Sequence, residues 1–436
     1  MVAMNSETGP GQNRSWMSLM AALWLGLFPL LLFGNYSTLT RNKWILMVIL
    51  TALTLICFLM DCAQKRATFT FSIPFVGGIL LLEGIIFSCI LSHEPAGVWW
   101  MGASGRREGL AAQLCYLSLF FCFLFSDTDA GMIRRAMTAG LCAYAVIAVL
   151  QRAGQDIFQL YPEGRSYQTN PEFLGTIGNI DFVAGYCVLN IGWTLPDLFR
   201  QRGKQAVLSL VSLALSFILM WIISVQFSAI VLLGLACFTA VIHLPPRKRL
   251  LFVIAVILLL LLIVWFFPAD SGAIWELREM MHRRTQLSFG SNRLAVWSYT
   301  LRMVSEQGLQ GSGPDTFVLR FNRFLREHSL EIPDRQGDIR LPTYFDNPHN
   351  EYLAQLSNHG AFAMLLFMAL MIVAVYPAFR GKYHPAMGGV LAYAIQAFFS
   401  FSFCALAPLF WVTLGIACAA EAGRRPLRIR PDHSSC

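Results

Sequence analysis

One short segment of the chain combines a histidine with residue types that commonly begin a helix. It reads Asp346-Asn347-Pro348-His349-Asn350. Asn347 is a good N-cap and Pro348 suits the first helical position, so we expect His349 in the first turn of a helix. The positive end of the helix dipole would disfavour the imidazolium there and leave a neutral ring able to act as a general base. A histidine that merely hydrogen-bonds at a membrane interface is the simpler alternative.

The free amides of this same turn could receive an anion, which makes Asn350 a candidate substrate-binding residue. Arginines elsewhere could bind the same anion through paired N–H donors. Arg293 precedes a predicted helix, and a solvated surface charge is the alternative for it. Arg106, in Gly105-Arg106-Arg107-Glu108-Gly109, could reach a phosphate or anchor the chain at the interface. Arg320 is a further candidate, on the polar face of another predicted helix.

Gly311-Ser312-Gly313-Pro314-Asp315 could hold an anion on the amide of Gly313, with Asp315 nearby. A tight turn with Asp315 as helix cap is the alternative. It is not a phosphate-binding loop of the Walker type, because Gly-Lys-Ser/Thr does not follow. Asp181 is interpreted as a helix cap or a functional acid. His282, His328 and His359 have no companions at ligand spacing, so we expect neither a metal nor a cofactor.

The elements that must position these residues are apolar. The chain of 436 residues is 56% hydrophobic and 13% charged, with mean hydropathy +0.56. Blocks of about 20 apolar residues are long enough to cross a bilayer as helices, and they do not alternate as barrel strands would. We therefore predict an all-α polytopic membrane protein with about 12 spans. The spans are 16–35, 44–60, 71–91, 110–126, 137–151, 180–199, 206–225, 228–243, 250–267, 358–379, 385–402 and 405–420.

These spans divide the chain into 1–267 with transmembrane helices 1–9, a large external loop over 268–357, transmembrane helices 10–12 over 358–420, and a basic cytoplasmic tail over 421–436. Lys and Arg number 17 in the segments on one side and 6 in the short loops on the other. This bias predicts an inner-membrane protein with both termini cytoplasmic. The net charge of +8 is then a signal of topology, and no nucleic-acid partner is expected.

The large loop contains 10 arginines and no lysine, a composition that favours bidentate binding of phosphate. We predict two amphipathic helices in it. The first runs over Arg293–Gln307, is capped by Ser291 or Asn292, and has an apolar face of Leu294, Trp297, Leu301 and Val304. The second runs over Asp315–His328, with an apolar face of Phe317, Phe321, Phe324 and Leu325.

Several of these motifs together resemble the O-antigen ligase and O-antigen polymerase superfamily of bacterial membrane glycosyltransferases. The matching segments are Gly105–Gly109, Gly178-Asn179, Arg293 with Trp297, Gly311–Phe317, Pro348–Leu353, and the closing spans around Gln396–Phe401 and Phe410-Trp411. The resemblance implies a metal-independent, ligase-type transfer of a glycan from an undecaprenyl pyrophosphate carrier to an acceptor hydroxyl, in cell-surface polysaccharide biosynthesis. It implies that His349 is the general base and that Arg293 binds the pyrophosphate.

One segment departs from the family pattern. Many members carry a Ser-Arg pair where this chain reads Ser224-Val225-Gln226-Phe227-Ser228, so Arg106 is expected to supply a second phosphate contact. The expected partners are the carrier-linked glycan, a lipid or glycan acceptor, and membrane lipids. Polymerisation of glycan units is an alternative activity. A transporter of a small anion or lipid-linked sugar and a non-catalytic assembly partner are alternatives of other classes.

Overall fold

The computed structural model describes residues 15–103, 105–225, 227–266, 270–332, 345–401 and 403–421. The predicted basic tail, apart from Glu421, lies outside these residues. The helices within them are α1 (Trp16–Ala22), α2 (Leu39–Ala63), α3 (Ile73–Ile90), α4 (Ala96–Met101), α5 (Leu110–Leu124), α6 (Ala130–Arg152), α7 (Ile180–Leu198), α8 (Lys204–Ile223), α9 (Phe227–His243), α10 (Pro246–Phe266), α11 (Gly272–Met281), α12 (Arg293–Gln307), α13 (Phe317–Glu327), α14 (Glu351–Phe379), α15 (Pro385–Gln396) and α16 (Ala407–Glu421).

Two smaller features complete the description. A π-helical turn (Leu23–Leu27) and a 3-10 turn (Phe28–Leu30) continue α1. Strands β1 (Phe173–Leu174) and β2 (Gly178–Asn179) form a two-residue antiparallel ladder. The ladder ends at Asn179, whose side chain caps α7 by accepting a hydrogen bond from the amide of Asp181 (2.9 Å). Asp181 is therefore in the first turn of α7 and is not its cap.

The chain is a mainly helical, multi-pass membrane protein. Among the described residues, α2, α3, α6, α8, α10 and α14 are long and apolar enough to cross a bilayer. Shorter apolar helices cover Trp16–Leu30, Leu110–Leu124, Ser228–His243 and Ala407–Ala420. Each predicted span overlaps a helix, because a helix satisfies its own backbone polar groups in lipid. The number of spans and the orientation of the loops remain predictions.

The membrane helices approach closely where small residues face each other. Helix α7 packs against α15 at Gly192 and Gly388, and a Cβ on either glycine would collide with the backbone oxygen of the other. Small residues at such crossings allow van der Waals packing between backbones, which is the main attraction between helices in lipid. This contact fixes the position of α15, and the chain just after α15 meets the start of α14.

Helix α14 is kinked at Gly360. This glycine has φ +89° and ψ 169°, and a Cβ there would lie 2.6 Å from the carbonyl carbon and oxygen of Gln310. The amide of Ala361 donates to the carbonyl of Leu309 (2.8 Å). The kink separates the segment 351–359 from the apolar remainder of the helix. The predicted span 358–379 thus corresponds to the remainder of the helix, whereas α14 as a whole begins before that span, at Glu351.

The two loop helices pack on each other through an apolar cluster. Its buried members are Ala295, Val296, Met303, Phe317, Phe321, Phe324, Leu325 and Ile332. The predicted bounds of α12 and the predicted apolar face of α13 are confirmed. The predicted apolar face of α12 is wrong in part, since Leu301 is 52% exposed whereas Ala295, Val296 and Met303 are buried. Packing against α13 selects that neighbouring stripe of the helix. Helix α11 was not predicted.

Candidate functional site

The segment that contains His349 is a turn that precedes α14. The N-cap of α14 is Asn350, whose side chain accepts a hydrogen bond from the amide of Leu353 (3.0 Å). Asn347 instead accepts from the amide of His349 (2.7 Å). The prediction that Asn347 caps the helix and that His349 lies in its first turn is therefore wrong. Asparagine suits both positions, and the amide of Glu351, which donates to the carbonyl of Ala397 after α15 (2.7 Å), fixes where the helix begins.

His349 has a left-handed backbone with φ +49°. This conformation costs a non-glycine residue about 1–2 kcal/mol, so neighbouring contacts must hold it. The indole of Trp297 donates to the carbonyl of Pro348 (2.9 Å), and the imidazole packs edge-to-face on Phe401 with ring centroids 5.4 Å apart. Backbone strain of this kind is concentrated at functional sites, where the surrounding structure maintains it.

The imidazole of His349 is held neutral by its surroundings. Its pKa is lowered to about 4, mainly by burial and also by the positive charges of Arg293 and Arg106, against the opposing effect of Asp346. Its Nδ1 atom is buried and has no hydrogen-bond partner among the described residues. The predicted neutral ring is thus found, although burial and two guanidinium groups account for it and the helix dipole does not. A neutral ring with an unpartnered nitrogen can accept a proton.

Arg293 is the first residue of α12 and lies one helical turn before Trp297. Residues four apart on a helix share a face, so the turn that orients Trp297 towards Pro348 also directs Arg293 to this site. Burial lowers the pKa of the partly buried guanidinium, and the carboxylate of Asp181 opposes that shift. Arg293 is therefore a partly buried cation, with Asp181 and His349 as its electrostatic neighbours.

Arg106 reaches the same site from a distant part of the sequence. Its guanidinium forms an ion pair with Asp346 and lies over the ring of Phe401, 4.0 Å from the centroid. Phe401 therefore contacts Arg106 on its face and His349 edge-on. The structure brings together the three residues predicted to carry the chemistry, which are His349, Arg293 and Arg106.

The glycine-containing turn before α13 has a structural role. The amides of Ser312 and Gly313 both donate to the carbonyl of Asn358 (2.9 Å each), so the amide of Gly313 is already used by the fold. The side chain of Asn358 accepts from the amide of Phe317 (3.0 Å), the first residue of α13. The N-cap of α13 is Thr316 and not Asp315 as predicted. The turn joins α13 to the kinked part of α14.

Arg320 also has structural partners. It donates to the side chain of Gln307 on α12 (3.0 Å) and to the carbonyl of Ser357 on α14. Burial lowers its pKa to about 10. Arg320 thus connects α12, α13 and α14. Asn350 likewise has a structural role, as the N-cap of α14. A role in substrate binding for Arg320, Asn350 or Gly313 has no support from these contacts.

A cavity lies beside the turn, and its empty space, part of which is open solvent, is about 470 Å³. Arg106, Asp346 and Pro348 line it, and so does Asp315, a predicted substrate-binding residue. Its other charged or titratable lining side chains were not predicted as site residues, and they are Glu108, Glu351 and His359. The spacing of Glu351, Gln355 and His359, four residues apart each time, was the available signal, because such residues share one helix face.

The pKa of the Glu108 carboxyl is raised to about 8, mainly by burial and also by the nearby acid Asp315. The hydroxyl of Tyr116 lies 3.0 Å from both of its oxygens and acts in the opposite direction. Among the described residues, no three His, Cys, Asp or Glu side chains are grouped as metal ligands. The predicted independence from metal remains a prediction.

Residues 210–368 match a family model described as O-antigen ligase, which confirms the resemblance inferred from the motifs. The match covers just over a third of the chain and includes Arg293, Trp297 and His349, whereas Arg106 lies outside it. No curated protein matches the chain. The match supports a membrane enzyme of the O-antigen ligase and polymerase type, acting on lipid-linked glycans.

Proposed function

We propose that the protein transfers a glycan from an undecaprenyl pyrophosphate carrier to an acceptor hydroxyl, as a ligase, with His349 as the general base. The observation that carries the proposal is the position of His349. Its neutral ring is the electrostatic neighbour of both Arg293 and Arg106, and its Nδ1 has no hydrogen-bond partner in the described part of the chain. A base beside two guanidinium groups suits a reaction in which a hydroxyl loses a proton while a phosphate group gains negative charge.

The reaction breaks one bond and forms another. The acceptor hydroxyl gives its proton to His349 while its oxygen bonds to the anomeric carbon of the donor sugar. The bond between that carbon and the pyrophosphate oxygen breaks, and the leaving group takes the electron pair. Arg293 and Arg106 stabilise the negative charge that develops on this oxygen. The phosphate–sugar linkage of the carrier supplies the free energy.

The two arginines also control the base. In the protein without substrate they disfavour the imidazolium, so His349 is a weak base. A bound pyrophosphate would neutralise both guanidinium groups and thereby raise the pKa of His349. The base becomes competent when the donor is in place, which suits an enzyme that must not activate a hydroxyl in its absence.

The position of Arg106 supports its role as the second phosphate ligand. The segment 224–228, where many family members carry a Ser-Arg pair, has no arginine in this chain. Arg106 is oriented by the ring of Phe401, and its ion pair with Asp346 is one that a pyrophosphate could replace. A planar guanidinium stacked on an aromatic ring is a well-oriented bidentate donor.

Reconstitution with a labelled undecaprenyl pyrophosphate oligosaccharide and a panel of acceptors tests the proposal. His349→Asn is the informative variant, since asparagine tolerates a left-handed backbone but cannot accept the proton. We expect it to reduce transfer by about 10²–10⁴-fold. His328→Asn, a change in a histidine that pairs with Glu306 on the loop, is the matched control.

The products separate the candidate activities. A single addition of glycan to an acceptor indicates ligation, whereas products of increasing length indicate polymerisation. Transfer that proceeds normally in His349→Asn would contradict the assigned base. Movement of labelled substrate across sealed vesicles without covalent transfer would contradict the enzymatic proposal and favour a transporter.

A further inference from the structure

The cavity beside the turn that contains His349 is rich in hydrogen-bond acceptors. Besides Asp346, which pairs with Arg106, three carboxyl groups line it, from Glu108 before α5, Asp315 before α13 and Glu351 at the start of α14. They come from segments far apart in the sequence and converge because the kink in α14 places residues 351–359 against the loop. Such convergence of polar groups in a concave site is typical of a ligand site.

His359 adds a further acceptor. Its Nδ1 lies 2.6 Å from the side-chain oxygen of Gln355, and the amide nitrogen of Gln355 donates to Glu351 (2.8 Å). The bond to Glu351 fixes the orientation of the Gln355 amide, so its oxygen faces His359 and can only accept. The proton of the neutral His359 ring is therefore on Nδ1, and Nε2 presents a lone pair.

That lone pair has no protein donor. Nε2 of His359 is buried without a hydrogen-bond partner among the described residues, and the side chain is only 5% exposed. A buried acceptor left unpaired destabilises a protein by about 1–3 kcal/mol, so such atoms usually have a ligand or solvent partner. An incoming hydroxyl group would satisfy this one.

The chemistry of the cavity favours a neutral, hydroxyl-rich ligand. Glu108 is mainly protonated at neutral pH and Arg106 pairs with Asp346 at the same cavity, so the net negative charge of the cavity is smaller than four carboxyl groups would give. Carboxylates and an imidazole nitrogen accept hydrogen bonds from the several hydroxyls of a sugar ring.

We propose that this cavity is a sugar-binding subsite, in which Nε2 of His359 and the carboxylate of Asp315 accept hydrogen bonds from hydroxyl groups of a glycan. The assignment of that glycan to the acceptor or to the donor rests on the proposed transferase function. Pro348 and Asp346 line the cavity, so a sugar there lies next to the turn that carries the base. The subsite would hold the glycan and position its reacting group.

Binding of neutral methyl glycosides (glucoside, galactoside and N-acetylglucosaminide) to the full-length protein in nanodiscs, measured by saturation-transfer NMR, tests the proposal without requiring any transfer. We expect at least one glycoside to bind. His359→Phe and Asp315→Asn should each weaken its binding about tenfold, the usual effect of losing one buried hydrogen bond. His328→Phe is the matched control, and the thermal unfolding midpoint of each variant reports on folding.

Two variants are compared because His359→Phe could also disturb the fold. Asp315→Asn keeps the shape of the side chain and is less prone to do so. Unchanged binding in both variants, failure of every glycoside to bind the wild type, or binding of protonated glucosamine in preference to the neutral sugars would each overturn the subsite. Competition by free acceptor oligosaccharide assigns it to the acceptor, and competition by carrier-linked glycan assigns it to the donor. Glycoside binding without transfer would contradict the proposed function alone.

Discussion

The indole nitrogen of Trp297 donates a hydrogen bond of 2.9 Å to the carbonyl of Pro348, the residue immediately before His349. Trp297 lies one turn after Arg293 on α12, so a single helix both carries a guanidinium to the site and fixes the turn that holds the imidazole. The relative position of Arg293 and His349 therefore depends on this one bond more than on the long chain between them.

Replacing Trp297 by phenylalanine should allow the imidazole of His349 to shift relative to the guanidinium of Arg293. The change keeps an aromatic ring against Phe398 but removes the donor and leaves the carbonyl of Pro348 without its hydrogen bond. A shift of about 1 Å at a catalytic group costs about 10²-fold in rate, so we expect a loss of one to two orders of magnitude in kcat. Trp275→Phe, on α11, is the control, and transfer assays with both variants give the comparison. Equal activities would show that the bond does not position His349.

The pH dependence of transfer should reveal the coupling between the arginines and the base. Only neutral His349 can accept a proton, and its pKa in the free protein is lowered to about 4. The acid limb of kcat/KM, which reports the free protein, should thus fall well below the ordinary histidine pKa of about 6.5. Bound pyrophosphate neutralises Arg293 and Arg106, so the acid limb of kcat should lie at higher pH.

Arg293→Gln removes one of the positive charges and should move the acid limb of kcat/KM upward, towards the ordinary value. This sign follows because the imidazolium is less strongly repelled. Steady-state kinetics over pH 4 to 8 on the stable variants measure both limbs. Coincident limbs for kcat and kcat/KM would argue against donor control of the base.

Arg106 should bind the donor, whereas the adjacent Arg107 should not. We expect Arg106→Gln to raise the donor KM about tenfold or more, since a hydrogen bond to a charged group contributes about 1.5–3 kcal/mol. Arg106→Lys should rescue poorly, because the stack on Phe401 and the bidentate geometry require a planar guanidinium. Arg107→Gln, whose guanidinium lies over Trp44, is the matched control. Similar donor KM values for Arg106→Gln and Arg107→Gln would contradict a role for Arg106 in donor binding.

The kink at Gly360 should be essential to the fold of the loop. An alanine there would have both a positive φ and a Cβ 2.6 Å from the backbone of Gln310, so we expect a destabilisation above about 3 kcal/mol. Gly381→Ala is the control, because Gly381 has φ +80° but has open space around it and should lose only about 1 kcal/mol. Thermal unfolding in detergent compares them. Equal losses would mean that positive φ alone, and not the close approach, matters.

Local patterns were sufficient to predict most of the long helices of this protein. Arg293–Gln307 was predicted with its observed bounds, because a helix start, a 3.6-residue period and a terminal Gly308 all agree. Each predicted span overlaps a helix for the similar reason that apolar blocks of that length have few other conformations. The three main site residues could be proposed from their types and from the family motifs.

Long-range contacts account for what was missed. The start of α14 depends on the carbonyl of Ala397, and no nearby residue indicates that partner. Leu301 fits an apolar stripe of α12, but α13 packs on the adjacent stripe and leaves Leu301 exposed. The proximity of Glu108, Asp315 and His359 could not be predicted, because the loop and α14 must fold together before they share a cavity.

Helix α10 illustrates a different kind of constraint. It has the highest mean hydropathy of the candidate spans, 3.0, and none of that apolar window is buried by other parts of the described structure. In a bilayer, such an uncovered apolar surface would face lipid chains, which accept any apolar side chain of suitable length. We therefore expect natural variants of α10 to keep its length and high hydropathy while leucine, isoleucine and valine replace one another. Helix α10 would then serve as a spacer of fixed length between α9 and α11.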